Sequence, residues 1–174
     1  MHHTFFTKRF DRENGERIHF SSAMTMTGNN EDTIRDSPAS YLDIADFIQT
    51  YGANVEANLH QLWRRIVFNI AISNTDDHLR NHGFLLTHEG WNLSPAYDLN
   101  PSVDKAGLAL SIDMDSNALD FDLARSVGEF FRLSQKQMDN IIQQVLNSAS
   151  QWEKVADEIG ISRSEKEIFR SAFR

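Results

Sequence analysis

The sequence predicts a mainly α domain of the α+β class, in which helices surround one small β-hairpin. A long run that opens at Asn54 keeps apolar residues at helical spacing through about Ser73. Two strand-like runs, residues 84–86 and 91–93, flank a turn signal at residues 88–90. In the last third of the chain, capping residues precede further runs of helical spacing. Together these patterns favour helices packed on a hairpin.

The N-terminal part of the chain predicts short extended pieces and one short helix. Residues 5–10 alternate weakly between apolar and polar, and a second extended piece follows a turn at Asn14-Gly15. Residues 21–27 predict a short helix. The polar stretch 29–38, which contains a proline, predicts a loop.

Helical spacing is strongest in the middle and at the end of the chain. Ser40 caps a predicted helix that ends at Gly52, directly before the long helix. The apolar positions of the long helix are Leu59, Leu62, Trp63, Ile66, Val67, Ile70 and Ala71. Three more helices are predicted over residues 119–131, 134–147 and 162–173. Because no repeat or linker interrupts these elements, we expect one domain over residues 1–174.

Composition narrows the classes of function. The chain has 174 residues and no cysteine, which excludes disulfides, thiolate chemistry and cysteine zinc sites. Its net charge of −8 disfavours electrostatic binding to phosphates, so we expect no direct nucleic-acid contact. A nucleotide held through metal ions remains compatible with this charge. No apolar run reaches membrane-spanning length and no signal peptide is evident, so we expect a cytoplasmic protein without membrane contact.

The segment between the long helix and the end of the hairpin carries the clearest chemical pattern. It reads N-T-D-D-H-L-R-N and then, after the hairpin, A-Y-D-L. Asp76 and Asn81 stand at the D-x-x-x-x-N spacing of the protein-kinase catalytic loop, and Asp98 follows the hairpin. Phosphoryl transfer needs one carboxylate for the attacking hydroxyl, and an amide and a second carboxylate for metal ions. Since a hairpin returns the chain close to its start, we expect these three side chains to converge.

Other interpretations of these residues are open. Asp, Asn and Thr are ordinary residues of loops and helix exits. Asp77, His78, His82 and His88 are a ligand set for a transition metal, but they do not share a helix face and form no H-E-x-x-H motif. His82 is expected to pack beside the first hairpin strand instead.

Two arginines near the N-terminus allow two interpretations. Arg9 and Arg12 flank Asp11 in K-R-F-D-R. They are suited to contact a nucleotide or a neighbouring lobe, and equally to form ion pairs with Asp11 or Glu13. The sequence does not favour either of these.

Four segments, in their order along the chain, resemble the C-terminal lobe of HipA-type serine/threonine kinases, the toxins of bacterial toxin–antitoxin systems. These segments are K-R-F-D-R, R-I-H-F-S-S-A, N-T-D-D-H-L-R-N-H-G-F-L and L-S-P-A-Y-D-L-N-P. The resemblance extends over almost the whole chain. It implies a protein-kinase-like helical C-lobe with a small hairpin, which transfers phosphate from Mg²⁺-bound ATP to a serine or threonine of a protein substrate.

The resemblance also assigns roles to residues. Asp76 falls on the family's catalytic base, and Asn81 and Asp98 fall on its metal-binding and nucleotide-binding positions. His78 occupies the family's histidine position, where it either reaches the γ-phosphate or braces the loop, and we favour bracing.

One part of the family's machinery is not matched in this sequence. The family's N-terminal lobe supplies a phosphate-binding loop and a lysine that grips the nucleotide, and Lys8 is a poor substitute for that lysine. We therefore expect weak or absent activity for the chain alone. The alternative is a non-catalytic module that binds a partner, either an N-lobe chain or an antitoxin repressor.

Overall fold

The structure is a computed structural model that describes residues 4–103 and 106–174. Helices make up most of its regular structure, which confirms the mainly α fold of the α+β class. The helices are α1 (Ala23–Met26), α2 (Glu31–Asp36), α3 (Tyr41–Tyr51), α4 (Val55–Ala71), α5 (Phe121–Ser126), α6 (Gln135–Ala149), α7 (Trp152–Glu158) and α8 (Arg163–Phe169). Short 3₁₀ turns lie at Leu79–Asn81, Gly128–Phe131 and Arg170–Ala172. Within the described ranges, no helix is long and apolar enough to cross a membrane.

The strands pair in antiparallel fashion in two small sheets. They are β1 (Arg12–Glu13), β2 (Glu16–Arg17), β3 (Phe20–Ser22), β4 (Gly83–Thr87) and β5 (Gly90–Leu93). β1 and β2 meet at the predicted turn, where Asn14 and Gly15 have φ angles of 49° and 85°. β4 and β5 form the predicted hairpin. β3 pairs with β4, with Ser21 opposite Phe84, so the second sheet has the order β3-β4-β5.

The two central helices match their predictions closely. Ser40 caps α3 through a reciprocal pair of hydrogen bonds with Asp43, and Gly52 follows its last turn. α4 begins directly after Asn54, although the Asn54 side chain does not cap it. That side chain donates instead to Asn92 on β5, at 3.1 Å, and so attaches the start of α4 to the hairpin.

Several elements differ from the sequence prediction. The loop predicted for residues 29–38 is wrong, because Asn30 and Thr33 form a capping box that starts α2. The helix predicted over residues 119–131 divides into α5 and a 3₁₀ turn. There Gly128 packs so closely on Met138 of α6 that a Cβ atom would lie 2.0 Å from its sulfur. Helix α7 was not predicted, and no side chain caps its N-terminus.

Helix α4 forms the centre of the hydrophobic core. It contacts α3, α5, α6 and the hairpin, and all seven of its predicted apolar positions are buried. Trp63 is fully buried, and its Nε1 donates to the Ala124 carbonyl of α5 at 2.9 Å. Since α4 runs into the loop before β4, this core also supports the segment that carries the predicted catalytic pattern.

A candidate phosphoryl-transfer site

The loop after α4 folds back on itself and brings two of the predicted site residues together. The chain leaves α4 through Ser73, which has a φ angle of 51°, and ends in the 3₁₀ turn before β4. The Asn81 side chain donates from Nδ2 to the backbone carbonyl of Asp76 at 3.1 Å. The amide of His78 donates to the same carbonyl at 3.0 Å. Asp76 is exposed and Asn81 is buried, so the pair lies where the loop meets the surface.

The segment after the hairpin returns to this loop through a tyrosine. Tyr97 donates its hydroxyl proton to the Arg80 carbonyl at 2.6 Å. Burial raises the pKa of Tyr97 to about 12, so the phenol keeps the proton that this bond needs. Asp98 follows directly, in a left-handed conformation with φ 54°, and its Oδ1 accepts from Asn100 at 2.7 Å. Asp98 therefore lies one residue from a direct contact with the loop.

A cleft of about 860 Å³ opens beside Asp98. Its walls come from Phe5 and residues 7–11 of the N-terminal segment, from Phe20 and Arg80, and from residues 96–100. Two of these lining residues, Lys8 and Arg9, are cations. The other predicted site residues, Asp76, His78 and Asn81, are not among its described lining residues. The cleft has the size of a small-molecule site.

His78 is half-buried beside Asp76. Its ring Nδ1 is buried and has no hydrogen-bond partner among the described residues. The two roles considered for His78, bracing the loop or reaching a phosphate, stay predictions.

A buried polar cluster beneath the loop was not predicted from sequence. Asp77 is 1% exposed, and its Oδ2 accepts from Tyr41 at 2.6 Å, from Asn69 at 2.5 Å and from His82 at 2.8 Å. Asn74 donates to Asn69 at 3.0 Å and extends the cluster into the loop. Burial, and then the charge of Asp77, raise the pKa of Tyr41 well above its ordinary value. The sequence signal for this cluster is Asn69, a polar residue on the buried face of α4.

This cluster also accounts for residues that the sequence suggested as transition-metal ligands. Asp77 and His82 bond to each other, whereas His88 lies exposed at the turn of the hairpin. In the part of the chain that the structure describes, no group of three or more His, Cys, Asp or Glu side chains is placed to hold a metal ion by itself.

The two N-terminal arginines form ion pairs. Arg9 binds Asp11 with two hydrogen bonds, of 2.8 Å and 2.6 Å, and Arg12 adds a third at 2.7 Å. The hydrogen bonds from Arg9 are the largest cause of a pKa of about 2 for Asp11, against an ordinary 3.8, while burial of the carboxylate opposes them. Arg9 and Asp11 both line the cleft beside Asp98.

We expect the substitution Arg9→Gln to raise the pKa of Asp11 towards 3.8. Because the folded-state pKa is lowered, the stabilisation by this pair is present above the ordinary pKa and is lost as pH falls through about 2. The measurement is a pH titration of the Asp11 carboxyl carbon by NMR. Arg163→Gln, an exposed arginine of α8, is the matched control and should leave the titration unchanged. An unchanged pKa in Arg9→Gln would contradict this assignment.

The chain matches one protein family and is similar to a solved structure. The family model described as HipA-like C-terminal domain matches residues 1–153. Among solved structures, the chain is similar to HipA of Shewanella oneidensis MR-1 from a toxin–antitoxin system, in a complex with HipB and its operator DNA. The TM-score is 0.72 and the sequence identity is 18%. The match covers 95% of this chain and 45% of that HipA chain. No curated protein matches the chain.

This structural match corrects one expectation from the sequence. The expectation of no direct nucleic-acid contact is wrong, because the matched HipA is in a complex with operator DNA as well as with HipB. The expectation depended on the net charge of −8. Net charge is a sum over the whole chain, so it carries no information about local basic surfaces or about contacts made within a larger assembly.

Proposed function

The chain belongs to the HipA-like C-terminal domain family, and from this we propose that it is the catalytic C-terminal lobe of a HipA-like serine/threonine kinase. It transfers the γ-phosphate of ATP to a hydroxyl of a protein substrate. The observation that carries the proposal is the contact between the loop of Asp76 and Asn81 and the segment of Asp98, made by Tyr97 and Arg80 beside the large cleft. A cytoplasmic location, where ATP is available, is part of the proposal.

In this proposal Asp76 accepts the proton of the attacking hydroxyl, while Asn81 and Asp98 hold Mg²⁺. Asn81 uses Nδ2 for the Asp76 carbonyl, so its Oδ1 is left to bind a cation. Asp98 accepts from Asn100 with Oδ1, which leaves Oδ2 for the same task. Mg²⁺ favours oxygen ligands and is commonly held by one or two side chains together with substrate phosphates. The donor set therefore fits Mg²⁺ with ATP. When bound, the metal would neutralise charge on the phosphates.

The proposal is tested by calorimetric titration of the chain with ATP and Mg²⁺. We expect the substitution Asp98→Asn to weaken nucleotide binding by about tenfold or more, because it removes a charged ligand of the metal. Asp115→Asn, which changes an exposed loop carboxylate that does not line the cleft, is the matched control and should bind as the unaltered chain does. Equal affinity in Asp98→Asn and the control would contradict the assigned role of Asp98.

A second candidate function is a module that binds a partner chain without catalysis. Phe5 and Phe6 are 89% and 86% exposed, and Phe5 is one of the residues that line the cleft beside Asp98. Large exposed apolar side chains are typical of surfaces that another protein covers. The chain also spans only 45% of the matched HipA. The partners that we propose are an N-lobe chain and a HipB-type antitoxin, the latter in assemblies with operator DNA.

The two candidate functions differ in the ligand that the chain alone is expected to bind, which is nucleotide for the catalytic lobe and a partner protein for the non-catalytic module. Heat from Mg²⁺ and ATP that is lost in Asp98→Asn supports the catalytic lobe. Tight association with a HipB-type protein or an N-lobe chain in the absence of nucleotide, together with no heat at millimolar ATP, supports the non-catalytic module.

A further inference from the structure

A second cleft, of about 570 Å³, lies behind the segment that carries Asp98. Helices α4 and α6 form two of its sides, and the end of β5 with the residues after it forms the third. Ala96 and Leu99 line both this cleft and the cleft beside Asp98. The stretch of chain at residues 96–99 therefore separates the two clefts, and we name the second one the rear cleft.

Arg65 of α4 lines the rear cleft, and none of the described residues that line the cleft with it is acidic. It donates from Nη2 to the Ser94 carbonyl, while its Nη1 is buried and has no hydrogen-bond partner among the described residues. Asp77 attracts Arg65 electrostatically but accepts its hydrogen bonds from the buried polar cluster. Burial lowers the pKa of Arg65 to about 10, so it remains a cation at neutral pH. A buried donor without a partner costs stability. Because Nη1 is buried, an anion in the cleft supplies the missing acceptor only when the Arg65 side chain turns Nη1 towards the cleft.

The remaining walls of the rear cleft combine apolar surface with a second cation. Arg64 lies beside Arg65 and donates to Gln144 of α6 at 2.9 Å. Among the described residues that line the cleft there is no Asp or Glu, although the chain carries 25 acidic residues against 17 Lys and Arg. The apolar lining consists of Phe68, Leu93, Pro95, Ala96, Leu99 and Val145. The cleft is therefore positive and largely apolar within an acidic chain.

We propose that the rear cleft is a ligand site for a small molecule that joins an apolar body to one carboxylate, with the carboxylate held by Arg65. A guanidinium binds a carboxylate in a planar fork, and the apolar walls cover the rest of the ligand. A volume of about 570 Å³ lies in the range of small-molecule sites. Such a ligand would touch Ala96 and Leu99, on either side of Tyr97 and Asp98. The proposal does not depend on kinase activity, because it concerns a different cleft.

The test is an NMR titration of the full chain with 4-phenylbutyrate, and separately with its neutral amide and with inorganic phosphate. We expect saturable shifts of backbone signals in residues 93–99 and in α4 and α6. The amide should bind about tenfold or more weakly, since it cannot form the charge-assisted pair with Arg65. Inorganic phosphate lacks the apolar body and should also bind more weakly. Shifts confined to the cleft beside Asp98, or equal affinity for acid and amide, would overturn the proposal.

Two variants separate the contribution of Arg65 from general effects on folding. Arg65→Gln should weaken 4-phenylbutyrate binding by about tenfold or more, whereas Arg35→Gln, an exposed arginine of α2, should not change it. If Arg65→Gln does not fold, Gln61→Trp provides the test. Gln61 is exposed and lines the rear cleft, so this substitution places an indole in the cleft. That variant should fold and lose binding. Unchanged binding in Arg65→Gln or in Gln61→Trp would overturn the proposal.

Discussion

Replacing Asp77 with alanine is expected to lower the free energy of unfolding by about 3–5 kcal/mol, the usual effect of removing one partner from a buried charged cluster. Asp77 is 1% exposed and accepts from Tyr41, Asn69 and His82 through one oxygen. Alanine would leave these donors buried without an acceptor, and each lost partner is costly. The measurement is urea unfolding followed by circular dichroism, with the slope of the transition compared between variants.

Asp46→Ala is the matched control for this experiment. Asp46 is exposed on α3, five residues after Tyr41 and outside the cluster. Its removal should change stability by no more than about 0.5 kcal/mol. A loss of under about 1 kcal/mol in Asp77→Ala would show that the cluster contributes little, and that water or a rearranged loop satisfies its donors.

The same cluster explains how the loop of the candidate site keeps its shape. Tyr41 begins α3, Asn69 lies in the last turns of α4, and His82 directly precedes β4. Asp77 therefore attaches the loop to three elements of the fold at one oxygen atom. Asp76 precedes this anchored residue and is exposed. A rigid anchor next to Asp76 is the arrangement that its proposed role as catalytic base requires.

The sequence predicted helices and strands most accurately where the spacing of apolar residues and the signals at the ends of an element mark the same boundaries. Helices α3 and α4 and the β4-β5 hairpin have nearly the predicted bounds, because apolar spacing and end signals such as Ser40 and Gly52 point to the same residues. After the hairpin it is Tyr97, the residue before Asp98, that contacts the loop, and spacing alone does not reveal this contact. The expected convergence of Asp76, Asn81 and Asp98 stays a prediction.

The features that sequence reasoning missed depend on short elements or on distant partners. Helices α2 and α7 are only six and seven residues long, so neither shows a clear apolar period. The pairing of β3 with β4 joins residues that are more than sixty positions apart. Asp76 and Asp77 are indistinguishable by pattern, yet one is exposed and the other is buried. Which of two adjacent carboxylates faces solvent is decided by the packing of α3, α4 and β4, and not by local sequence.

The second large effect concerns Asp76 in its proposed role as catalytic base. With the chain joined by an N-terminal lobe of a HipA-type kinase, the substitution Asp76→Asn is expected to lower kcat by about 10²–10⁴-fold, the usual contribution of a general base. The amide of asparagine cannot accept the proton of the attacking hydroxyl. The measurement is transfer of labelled γ-phosphate to a protein serine or threonine at saturating Mg²⁺ and ATP.

Measuring nucleotide affinity in Asp76→Asn and in Asp98→Asn separates the proposed role of Asp76 from that of Asp98. Asp76 is proposed to act on the hydroxyl and Asp98 on the metal, so Asp76→Asn should keep the nucleotide affinity that Asp98→Asn loses. The two carboxylates lie on different segments, which are joined by the hydrogen bond from Tyr97 to the Arg80 carbonyl and by one from the Ser102 amide to the Ser73 carbonyl. Neither of these bonds uses the side chain of Asp76 or Asp98, so one carboxylate can be changed without removing the other. An equal loss of nucleotide affinity in both variants would mean that Asp76 also serves the metal. An unchanged rate in Asp76→Asn would mean that another group takes the proton. The next residue to replace is then His78, whose backbone amide donates to the Asp76 carbonyl.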